Sequence, residues 1–305
     1  MSDTDQSWRP AWEPLTPRGV AAFAGGSLGR LLLVQLLVAA LAAASVVCFL
    51  ERAWFPVVRS AIAALPVTGK ISREQLDWSG DSPVQLARNN FLGLAVDLYH
   101  SGRLGREAHL QLEFGKDNFR VYSLLGYYEV YDYPPGWELT FNRTDLEPWW
   151  GAREPFIAMG AGAAALVWLL LSWAALATIY CVPVHVIAFL ENRDLNWPQS
   201  WRLAGAAMMP GALFMTAGIA GYTLGFMDLL ELGVVFGLHF VIGCIYLFIS
   251  PFFCPRASAA KKTGANPFIT AQSTAKPASK TSAANPFAAG NETSPTPGAN
   301  NAKSQ

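Results

Sequence analysis

A bundle of four transmembrane helices, with a small β-rich (α+β) extracytoplasmic domain inserted between the first and second, is the fold class predicted by three features of the sequence. Residues 31–50 (LLLVQLLVAALAAASVVCFL) carry no charge, and only Gln35 and Ser45 interrupt their apolar character. A helix of that length reaches about 30 Å, the thickness of a bilayer core, and satisfies its own backbone there. Three further apolar runs follow at 157–190, 203–226 and 229–253, whereas residues 66–154 alternate apolar and polar side chains as water-soluble strands do. The composition agrees: 52% of the 305 residues are hydrophobic, 14% are charged and the mean hydropathy is +0.26, which is too apolar for an ordinary soluble domain.

Taken in order, residues 1–30 form a cytoplasmic segment that passes through Gly25, Gly26 and Gly29 to Arg30 at the membrane edge. Residues 31–50 form the first span. Ala42, Ala43 and Ala44 resemble a small-residue cleavage site, but the apolar run continues past them, so an uncleaved anchor is expected. Residues 51–154 form the extracytoplasmic domain, opening with an amphipathic passage (53–65) that places Val58, Ile62 and Leu65 on one face beside the membrane. Runs at 91–98, 108–114, 118–125, 127–133 and 137–141, separated by glycine- and proline-rich turns, predict an antiparallel meander of four or five strands. Thr144 and Glu147 have capping-box spacing and are expected to start the next helix. The second span, 155–190, is longer than a bilayer core, and its excess is expected to emerge on the cytoplasmic side near Pro183. A cytoplasmic loop (191–202), a third span (203–226), an extracytoplasmic turn (227–228) and a fourth span (229–253) complete the bundle. Residues 254–305 are rich in Ala, Ser, Thr, Asn, Pro and Lys and are expected to be a disordered cytoplasmic tail.

Charge sets the orientation. The N-terminal segment has three Lys or Arg, the 191–202 loop two, the tail six and the 227–228 turn none, which places both termini inside. The segment from 51 to 154 has 11 basic and 14 acidic residues, and loops of that length translocate largely regardless of charge. Overall, 22 basic residues balance 22 acidic ones, so there is no basic surface suited to nucleic acid. All four cysteines lie in or beside apolar runs and none in 66–154, which argues against a disulfide framework.

Several residues invite a functional reading. Gly221, Gly225, Gly233 and Gly237 have the small-xxx-small spacing of close helix pairs, and folding the hairpin about residue 229 sets Gly225 opposite Gly233 and Gly221 opposite Gly237. His185 and His239 lie in or beside spans, where a proton relay would need ionisable partners; the only acidic residue in the last three runs is Glu231, beside the turn. Asp97 and His100, with His109 nearby, are the best acid and base candidates of the external domain, yet no recognised hydrolase, nucleotide or cofactor motif accompanies them. The tyrosine-rich stretch 122–137 reads either as a ligand platform or as the packed face of a small sheet. In the tail, Asn266, Pro267 and Phe268 recur as Asn285, Pro286 and Phe287, a docking motif that resembles the Asn-Pro-Phe ligands of EH-type adaptor domains. Tail lysines 261, 262, 276 and 280 suit anionic lipid.

The passage WPQSWRLAGAAMMP (197–210), an interfacial segment running into a span with an early proline, resembles Yip-type membrane domains and related bacterial polytopic proteins. That resemblance, which covers roughly 197–250, implies a bacterial plasma membrane and a scaffold or membrane-organising role. The expected function is therefore a non-enzymatic integral membrane protein, surrounded by the lipid bilayer, whose external domain contacts a protein partner or ligand and whose tail docks another. A small-solute transporter or channel component is the alternative, and a membrane hydrolase using Asp97 and His100 a third class. No cofactor is expected.

Overall fold

The computed structural model describes residues 12–105 and 107–256, all within one compact unit. Both Asn-Pro-Phe repeats and the tail lysines lie outside the described residues. A short helix, α1 (Pro17–Gly25), precedes the first span, where the sequence had suggested only a connecting segment. Thr16 caps it by accepting the Gly19 N–H (3.0 Å), Pro17 begins it with a preset φ, and Val20, Phe23 and Ala24 are fully buried.

The first long helix does not stop at residue 50. It runs as α2 (Leu28–Phe49), a π-helical turn (Leu50–Trp54) and α3 (Phe55–Ala63). The widened turn, in which the Phe55 N–H donates to the Leu50 carbonyl, directly precedes Pro56, whose missing N–H breaks the regular ladder. The amphipathic passage expected beside the membrane is thus the end of the first helix. Its Val57 and Ala61 are buried against Leu92 and Leu94 of the β region.

That region contains two sheets. β1 (Gly69–Ser72), β2 (Gln75–Trp78) and β8 (Leu139–Thr140) form an antiparallel sheet in the order β2-β1-β8. β3 (Val84–Arg88), β4 (Leu92–Val96), β5 (Leu110–Phe114), β6 (Asn118–Ser123) and β7 (Tyr128–Asp132) form a second, in sequence order. The expected meander is corrected at one place: β4 and β5 are parallel, Leu92 facing Leu110 and Val96 facing Phe114. The connection between them spans residues 97–109, long enough for the crossover that parallel strands require.

α4 (Arg143–Leu190) is a single 48-residue helix, about 72 Å long. Its cap is Asn142, which accepts the Asp145 N–H (2.9 Å), so it begins before the expected Thr144–Glu147 box. Much of its excess length therefore lies on the β side, not only beyond Pro183. There the Arg59 guanidinium of α3 grips both Glu154 oxygens (3.0 and 2.6 Å).

The third run is broken. α5 (Trp197–Ala207), opened by a capping box between Asn196 and Gln199, ends at Met208, and α6 (Met209–Thr223) continues beyond it, because Pro210 has no N–H to carry the helix through. α7 (Leu229–Ile249) follows a tight turn, capped by Asp228 and Glu231. Four stretches, 28–63, 143–190, 197–223 and 229–253, are helices long and apolar enough to cross a membrane. The buried side is carried by α5, whose 203–207 run is wholly buried, and by Gln35 of α2, which donates to the Gly205 carbonyl (3.1 Å). Little of α4 and α7 is buried, and exposed side chains such as Trp168, Leu171, Ile179 and Val234 form a large apolar surface compatible with a surrounding bilayer.

The ends of the helices are distinct. At one end Arg202 caps α1 by donating to the Ala24 carbonyl (3.1 and 2.8 Å), and Arg193 donates to the Cys254 carbonyl (2.7 Å), so α1, the 191–202 connector and the end of the last span meet. The β region sits at the other end, against the turn between α6 and α7.

Candidate functional site

β7 is the last strand of its sheet, and all five of its residues are exposed. The hairpin that presents it turns at Gly126, whose φ of 83° favours glycine, and the Ser123 N–H donates to the Tyr127 carbonyl (2.8 Å). That bond fixes the parity of the ladder. With Val121 facing Glu129 and Phe119 facing Tyr131, the backbone groups of residues 127, 129 and 131 turn toward β6, and those of Tyr128, Val130 and Asp132 turn outward. Among the described residues no strand pairs with that outward edge. Tyr131 stacks on Phe119 (5.2 Å between centroids), and Arg120 lies over Tyr128 (5.6 Å). The Glu129 carboxylate accepts hydrogen bonds from the Tyr131 and Tyr127 hydroxyls, which lower its pKa and raise theirs. Of the two sequence readings of this stretch, the buried rings of Tyr122 and Tyr133 support the packed-sheet one, while Tyr127, Tyr128 and Tyr131 present their surfaces outward.

The opposite flank of the sheet is fastened to the helices. Asn89 Nδ2 donates to the Ala53 carbonyl (2.6 Å), while Asn89 Oδ1 accepts from Phe91 and Leu92 (2.9 and 2.8 Å). His109, at the start of β5, is hydrogen-bonded through Nδ1 to the Tyr222 hydroxyl of α6 (2.6 Å) and stacks on that ring, which also packs on Phe49 and Phe91. A cavity of about 310 Å³ opens beside this cluster, lined by Phe91, Glu107, His109, Phe226, Asp228 and Glu231. Its carboxylates are already engaged: Glu107 pairs with Arg88, and Asp228 and Glu231 cap α7.

Asp97 and His100 meet only through the backbone, the His100 N–H donating to the Asp97 carbonyl (3.1 Å), and their side chains bond different partners. Asp97 is 1% exposed and accepts from the Ser101 N–H and hydroxyl (2.6 and 2.7 Å) and from the Tyr99 N–H (3.3 Å), so it ties down the crossover. His100 instead bonds Glu113 through Nδ1 (2.6 Å) and Asn118 through Nε2 (2.9 Å), the His100 and Glu113 side chains being buried. A Cβ at Gly115 would run into the His100 ring, so that position excludes any larger residue. His109 belongs to the helix junction, apart from both. Among the described residues no group of His, Cys, Asp and Glu is arranged to hold a metal ion.

The glycine register is corrected. Gly233 and Gly237 have nothing within 4 Å of an added Cβ, Gly225 occupies the turn with φ 76° and is likewise open, and Gly221 meets only the Met227 side chain. α6 and α7 approach closely at Gly211, against the His239 carbonyl, and at Gly218, 2.5 Å from the Val235 side chain when a Cβ is added. These contacts place the fold axis near residue 226, three residues before the expected 229, which turns Gly233 and Gly237 away from the partner helix. Of the span histidines, His185 bonds Ser200 (3.3 Å) and stacks on Trp197, and His239 bonds the Phe236 carbonyl of its own helix. Family models, curated proteins and solved structures were all compared with the chain, and none matches.

Proposed function

We propose that this is a non-enzymatic integral membrane protein that holds a rigid β module on the extracytoplasmic side and binds a protein partner through the free edge of β7, as a scaffold or sensor. The observation that carries this reading is the pairing of a fully exposed, tyrosine-bearing edge strand with a sheet bolted to the helices elsewhere by Asn89 and His109. Backbone groups on such an edge supply affinity by strand addition, and the tyrosines supply stiff amphipathic contact area. A catalytic role finds less support, because Asp97 and His100 spend their polar atoms on separate local bonds. Both termini lie in the cytoplasm in this arrangement, in keeping with α1, the 191–202 connector and the end of the last span meeting at the helix ends away from the module.

A photoreactive residue placed at Tyr128 of the full chain, in native membranes, tests the edge. Protein adducts are expected from position 128 and not from Tyr99, which is 82% exposed but lies off the edge. Equal yields from both positions, or none from 128, would contradict the reading.

A further inference from the structure

β7 is complementary to itself. We propose that its partner is β7 of a second copy, the two strands pairing antiparallel about Val130 so that one sheet runs through both molecules; this rests on the reading of β7 as a binding edge. Only even-numbered residues turn their backbone groups outward, so two copies of the strand can hydrogen-bond only when even residues face even ones. Three registers within the strand satisfy that rule and retain more than one residue pair. Centring on Glu129 sets that carboxylate directly against its copy, which is destabilising, and centring on Tyr131 leaves Tyr128 and Glu129 outside the overlap of the two strands. Centring on Val130 pairs all five residues. Glu129 then faces Tyr131 of the second copy, whose hydroxyl can exchange its own Glu129 for the facing one, and Tyr128 faces Asp132, so each carboxylate meets a phenol and no two acids stand opposite one another.

The flanking strand supports the same arrangement. Arg120 faces Val130 across β6 and lies over Tyr128, so its positive charge is on the face where Asp132 of the second copy arrives. Five residues per strand make a small interface, and confinement of both copies to membranes raises their effective concentration. The edge is also protected against indiscriminate pairing, since any register that brings Glu129 to Glu129 or Asp132 to Asp132 is opposed by charge.

The test uses the full chain, purified in detergent, with Cys48, Cys181, Cys244 and Cys254 replaced by alanine and single cysteines introduced for oxidative cross-linking. In the proposed register, residue 130 faces its copy at about 5.5 Å between Cα atoms and residue 129 faces 131 at about 4.5 Å, both within disulfide range. Residue 129 lies about 7–8 Å from its own copy, out of range. Val130→Cys alone and a mixture of Glu129→Cys with Tyr131→Cys are therefore expected to give covalent dimers, and Glu129→Cys or Tyr131→Cys alone is not. Val130→Pro removes an outward N–H without touching the β6 ladder, an edge position where proline is tolerated, and is expected to abolish the mixed dimer while leaving the strand signal in circular dichroism unchanged. Equal cross-linking by every single cysteine, or a mixed dimer that survives Val130→Pro, would overturn the register. No dimer from any variant, with Tyr128 photoadducts going to a different protein, would overturn self-pairing and leave the binding edge standing; no dimer and no adduct would overturn both.

Discussion

Tyr133, the residue after β7, is buried and donates its hydroxyl to the Gly115 carbonyl (2.8 Å), joining the end of the edge strand to the β5–β6 turn. Burial raises its pKa well above the usual tyrosine value, with the Asp117 carboxylate adding to the shift. The folded state therefore favours the neutral phenol. Its contribution to stability is fully present below about pH 10 and is lost as pH rises toward the folded value. Tyr133→Phe is expected to cost about 1–3 kcal/mol at pH 8, since it leaves the carbonyl without its donor, and to lose less stability than the wild type between about pH 10 and 11. Thermal unfolding of the strand signal in detergent across that range checks both slopes. The same scale shows why His100 could be picked out from the sequence while its partner could not. Glu113 sits in LQLEF, where alternation marks the leucines as the inward set. In the folded sheet Gln111 and Glu113 are the buried ones, because one face of β5 lies under α3 and the other under the 97–109 crossover that carries His100.

Among the elements, the hairpin of α6 and α7 gives the sharpest contrast between sequence expectation and structure. Glycine spacing was legible, but which glycines meet depends on where the chain turns: an error of three residues in that axis moves the opposing position by six, which leaves it about 120° around the helix. Gly218→Leu is expected to destabilise the hairpin by about 1–3 kcal/mol through overpacking against Val235, whereas Gly237→Leu, facing open space, changes stability by less than about 0.5 kcal/mol. Melting temperatures of the two variants in the same detergent decide it; the reverse order would restore the mirrored glycine pairing. The β region was legible from residue 91 onward, where alternation is long and the turns contain Gly or Pro. β1 and β2 were not. They bury only Ile71 and Leu76, and they turn through Arg73 and Glu74 at φ 53° and 64°, positions where Gly or Asn would have announced a hairpin.

At the scale of the whole molecule, length and apolar character are properties of contiguous sequence, which is why the four long apolar helical stretches could be read before any contact was known. The docking of the module could not be read, because it depends on pairs distant in sequence, such as His109 with Tyr222 and Asn89 with Ala53. Those bonds join the β module to the helices, so that a force on its free edge reaches α6 through Tyr222 and the first long helix through Ala53. The proposed edge can meet its partner only if the module lies on the extracytoplasmic side of the membrane. Labelling intact cells with a membrane-impermeant maleimide tests this most directly, using the background without native cysteines and carrying either Leu125→Cys, at the exposed β6–β7 turn, or Ser304→Cys, near the end of the chain. Labelling of position 125 in intact cells, with position 304 reached only after permeabilisation, is the expected result. Labelling of 304 from outside, with 125 protected until the cells are opened, would contradict it.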